Sequence, residues 1–78
     1  MKYFSETRLY CRRSISSIWR EDEEARTPKH EISENTFNMA INVLYKDVKP
    51  LKNSDGSITF ASILNSNEST ETTFYIEN

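Results

Sequence analysis

The chain holds 78 residues at a formal net charge of −2, with one glycine, one cysteine and one histidine. A chain this short builds one small core and reads as a single domain over residues 1–78; it lacks the second cysteine for an internal disulfide and the set of Cys and His ligands for a structural zinc site. No run approaches the roughly 18 consecutive apolar residues of a membrane span, and Lys2 and Glu6 interrupt the start too early for a signal peptide, so the expectation is a cytoplasmic protein with no membrane partner.

Residues 3–19 open the chain with two competing patterns. As a strand, Leu9, Cys11, Ile15 and Trp19 share one face; as a helix, Phe4, Cys11, Ile15, Ile18 and Trp19 make a stripe. The Tyr, Thr, Ile and Trp content favours the strand, and Ser5, Ser14, Ser16 and Ser17 are poor helix-interior residues. A helix here would also set arginines near its N-terminus and Glu21, Asp22, Glu23 and Glu24 at its C-terminus, against the dipole at both ends. Residues 21–31 then read as a solvated acidic loop; the alternative is a short helix opened by the acids after Trp19, with Thr27 as its last possible residue because the residue before Pro28 avoids the helical region.

The clearest signal lies in residues 33–48. Phe37, Ala40, Ile41, Leu44 and Val48 recur at helical spacing, Ser33 is placed to cap the start, and Glu34 lies where the dipole favours an acid. Lys46 falls in the last turn and Pro50 just beyond it. Asn53, Ser54, Asp55 and Gly56 form the strongest turn signal. Residues 57–64 alternate as a strand, with Ile58, Phe60, Ser62 and Leu64 on one face. Residues 71–76 alternate as a second, with Thr72, Phe74 and Ile76 opposed to Thr73 and Tyr75. The expected fold is α+β: one central helix on a small three-stranded, mainly antiparallel sheet in the order β-α-β-β, with a helical alternative for residues 3–19. One face of that sheet would stay uncovered, showing Tyr75, Ile63 and Ala61, and the last strand would lie at an edge.

Catalysis finds little support. His30 sits in a polar stretch and Cys11 lacks a glycine-rich oxyanion loop; the acids at 21–24 lack the spacing and glycine of a calcium loop, so no enzyme, metal or cofactor is expected. Binding is the better expectation. Residues 1–20 carry five bases against one acid and the remainder five against eleven, a division that marks either an electrostatic footprint or two halves neutralising each other. A protein partner would meet Glu21, Asp22, Glu23 and Glu24 as steering charges, with Arg12, Arg13, Trp19 and Tyr75 as further contact residues. The expected role is a protein–protein interaction module such as an inhibitor, adaptor or regulator, with a homodimer as one form. The alternative is single-stranded nucleic acid bound through the basic, aromatic N-terminal segment, where Tyr3, Phe4, Tyr10 and Trp19 interleave with arginines.

Overall fold

A computed structural model describes residues 1–78 as a five-stranded antiparallel sheet with one short helix on one face. The strands are β1 (Lys2–Cys11), β2 (Arg20–Ile32), β3 (Leu51–Lys52), β4 (Ile58–Asn65) and β5 (Glu68–Glu77), in the spatial order β2-β1-β5-β4-β3. The expected three-stranded sheet with a central helix is therefore wrong in three respects: strand number, helix length and the place of the last strand. Residues 3–19 are not helical. They are strand through Cys11 and a turn-rich connection thereafter.

Residues 21–31 supply the largest correction. They belong to β2, which pairs with β1 from Tyr3↔Ile32 to Cys11↔Arg20. No apolar alternation announces this strand, because an edge strand held by its ladder to β1 needs none. The pairing is irregular: between Ser5 and Thr7 a two-residue step on β1 matches three residues on β2, and between Thr7 and Leu9 it matches five. Extra residues of this kind bulge outward and twist the strand. Pro28 is tolerated because the outer side of β2 has no neighbouring strand.

The helix begins where its residues say it should. Ser33 Oγ accepts the Thr36 N–H at 3.0 Å. The α-helical part, α1 (Glu34–Met39), then continues as a π-helical turn over Ala40–Leu44, closed by the Tyr45 N–H donating to the Ala40 carbonyl at 2.8 Å. The wider turn admits one extra residue and rotates the side chains beyond it. Leu44, expected on the buried stripe, is 71% exposed, and Tyr45 takes its place. Residues 45–48 are turn rather than helix, so Lys46 does not sit in a last helical turn.

Packing explains the rotation. The Tyr45 ring stacks on Phe60 at 4.7 Å and 13°, and its hydroxyl donates to Thr72 Oγ1 at 3.3 Å. Phe37 lies against Tyr3 at 4.7 Å and edge-on to Phe74 at 5.8 Å. The helix thus crosses from β1 to β4 over the middle of the sheet. Ala40, Phe60 and Phe74 are the buried apolar residues, ringed by half-buried Ile32, Phe37, Ile41, Tyr45, Val48 and Ile58. The Asn53–Ser57 turn joins β3 to β4: Gly56 takes a φ of +89°, and Asp55 Oδ1 accepts from both the Ser57 N–H (2.9 Å) and its hydroxyl (2.6 Å).

Candidate interaction surface

The helix-free face of the sheet is less apolar than its sequence suggests. Tyr75 does stand on it, half-buried beneath Lys29, whose Nζ lies 4.3 Å from the Tyr75 ring centre and 5.1 Å from that of Phe4. The same Nζ meets Glu77 Oε2 at 2.6 Å, which holds the ammonium pKa above its ordinary value. Burial, then the neighbouring Glu6 charge, pushes the Tyr75 phenol up, and its hydroxyl donates to Glu6 Oε1 at 3.3 Å. Glu6 also faces Arg8 at 3.4 Å; Arg8 reaches Glu21 at 4.0 Å; and Glu21 Oε2 meets Arg26 Nε at 3.1 Å, an ion pair without an aligned hydrogen bond. The Lys29 ammonium lies over both rings, and the chain of charges runs on from the Tyr75 hydroxyl. Tyr75 is therefore a shielded residue, whereas Ala61 and Ile63 on the same face remain open.

The acidic run does not act as a unit. Glu21 turns inward to the arginines, and Asp22 Oδ1 accepts the Glu24 N–H at 3.2 Å, while Glu23 and Glu24 project from the bulged edge of β2 with no ion pair. Arg12 is held by the fold: its N–H and Nε donate to the Asn67 and Ser66 carbonyls at 3.0 and 2.7 Å, Nη1 donates to the Ile15 carbonyl at 3.2 Å, and the guanidinium covers the Trp19 ring at 4.3 Å. Arg13 and Arg20 have no such engagement. With Arg12, Ser16 and Ser17 they border a hollow of about 670 Å³ beside the β1–β2 connection. The halves of the chain thus neutralise each other at Arg8 but not at Arg13 and Arg20.

The aromatic residues of the N-terminal segment are divided between surfaces. Tyr3 packs under the helix against Phe37, its neighbour Phe4 faces the other way under Lys29, and Trp19 lies beneath Arg12. Cys11 and His30 are also apart: His30 pairs opposite Ser5, six residues along β1 from Cys11, which at strand spacing is about 20 Å. They do not form a nucleophile and base. Burial, then Glu68 and Asp22, raises the Cys11 thiol pKa, the wrong direction for a reactive thiolate. No group of three metal-ligating side chains converges, and no helix is long and apolar enough to cross a membrane.

One surface was not anticipated. Thr36, Met39, Ala40, Val43 and Leu44, all but the first apolar, line a hollow of about 350 Å³ on the helix flank. Their spacing of three and four residues is a second helical stripe that was present in the sequence beside the first. Met39, Val43 and Leu44 are all more than half exposed. Comparison with protein-family models, curated proteins and solved structures finds no match to this chain.

Proposed function

We propose that this chain is a small non-catalytic protein-binding module of the cytoplasm, an inhibitor, adaptor or regulator that occupies a surface of a larger protein. The observation carrying this reading is the apolar helix flank of Met39, Val43 and Leu44, a contiguous patch on a molecule that buries few apolar side chains. An amphipathic helix with a second apolar stripe fits a hydrophobic groove on a partner. Glu23 and Glu24, free of ion pairs on the β2 bulge, would steer a basic partner toward the complex.

The test is affinity capture of the tagged chain from its native lysate, with and without nuclease, alongside Val43→Asp. A stoichiometric protein that survives nuclease and is lost with Val43→Asp supports the module and locates its surface. Capture that collapses with nuclease transfers the function to nucleic acid. That second reading draws on Arg13 and Arg20, which border the hollow without a carboxylate partner. Under it, Arg13→Ala and Arg20→Ala weaken binding to a single-stranded oligonucleotide and reduce its salt slope by about 0.7 for each phosphate no longer neutralised.

A further inference from the structure

The two edges of the sheet are built differently. The β2 edge carries Pro28, two bulges and a row of charges, the features that keep edge strands from pairing with other chains. The β4 edge carries no proline and no charge over its second half, and its one irregularity, between Ile63 and Asn65, falls at the end of the strand, beyond Ala61 and Ile63. Two-residue β3 covers β4 only at Ile58 and Thr59. The Ser57 carbonyl accepts from Asn53 and so points toward β3; by strand alternation, the backbone groups of Ala61 and Ile63 point the same way, into solvent. Residues 56–67 hold no charged side chain, and Ile63 and Leu64 are 76% and 58% exposed.

We propose that the Ala61–Leu64 edge is a self-pairing site, occupied by the same edge of a second copy of this chain. This surface is separate from the helix flank proposed above. Antiparallel pairing about a two-fold axis normal to the sheet sets Ala61 of one copy opposite Ile63 of the other. Small then faces large, and each residue exchanges its free N–H and C=O with its partner. The result is a continuous ten-stranded sheet with both helices on one face. An uncharged segment incurs no like-charge penalty in meeting itself, which favours a second copy over a strand of opposite charge.

Sedimentation equilibrium of the full chain, from micromolar to millimolar protein, tests this. The mass is expected to rise toward twice the monomer value. Ile63→Lys, at a side chain already in solvent, and Ala61→Pro, which removes only an outward N–H, are each expected to raise the dimer Kd about tenfold or more, while Val43→Lys leaves it unchanged. Far-UV circular dichroism establishes that each variant is folded; if Ala61→Pro is not, Ile63→Lys decides. Hydrogen exchange should show the Ala61 and Ile63 amides gaining protection with concentration. A monomer mass throughout, a Kd unmoved by the edge substitution, or a dimer in which these amides still exchange freely would overturn the proposal. A heterologous partner lost with Val43→Asp would still stand in each case, so the two proposals fail separately.

Discussion

Arg12 shows how a side chain with the chemistry of a binding residue is instead taken up by the fold. It joins the β1–β2 connection to the β4–β5 turn through the Ser66 and Ile15 carbonyls and roofs the only tryptophan. Arg12→Ala should lower stability by about 1–2 kcal/mol in urea denaturation and red-shift Trp19 fluorescence. Arg12→Lys should recover only part, since one ammonium cannot reproduce the planar, forked contact. Asp55 is the counterpart among the acids. Hydrogen bonds from the Ser57 hydroxyl and N–H hold its pKa below the usual carboxylate value, so its contribution is present above the unfolded pKa of about 3.9 and is lost as pH falls through the lower folded value. In an NMR titration the Ser57 amide should shift on acidification within that window, and Asp55→Ala should abolish the transition. Lys29 runs oppositely. Its pKa is raised by Glu77, so its contribution is full below about 10.4 and fades as pH climbs through the raised folded value.

At the level of elements, the π-helical turn decides which residue of a neighbouring pair belongs to the core. Tyr45→Ala should cost about 2–4 kcal/mol, because it removes the stack on Phe60 and the hydroxyl bond to Thr72, whereas Leu44→Ala should change stability by less than about 0.5 kcal/mol. Thermal denaturation of the two variants checks the order, which is the reverse of what α-helical spacing implies. The cap at Ser33, the alternation of β4 and β5 and the placing of Tyr75 away from Phe74 were legible, because each follows from local chemistry or a two-residue period. The π turn was not, since Leu44 and Tyr45 both suit an apolar stripe and only the Phe60 ring across the interface chooses between them. Nor was β2: a run of charges around Pro28 carries every local mark of a loop, and only its hydrogen bonds to β1 make it a strand. The acidic site suffered for the same reason, as strand alternation and bulging send Glu21 inward and Glu24 outward. The flank of Met39, Val43 and Leu44 was readable as a second stripe, but the eye settles on the first.

Taken whole, the molecule measures 42 × 26 × 22 Å and buries only Ala40, Ser57, Phe60, Thr72 and Phe74. With so thin a core its stability should sit near the low end for folded domains, roughly 5 kcal/mol or less. Phe60→Ala and Phe74→Ala each remove a buried ring from that cluster, and a loss of about 3–5 kcal/mol should consume most or all of that stability, so that either variant shows a sharply lowered thermal midpoint by circular dichroism. The strand order has a consequence for how such a chain is made. The β1 strand pairs with β5 from Lys2↔Glu77 to Cys11↔Glu68, so the first and last strands lie side by side in the middle of the sheet. Until β5 has left the ribosome, the β1–β2 hairpin and the β3–β4 hairpin have no strand between them. The helix likewise has no finished surface on which to lie. Folding during synthesis must wait for the last strand, and a nascent chain halted before it would offer the chaperones two separate hairpins in place of a sheet.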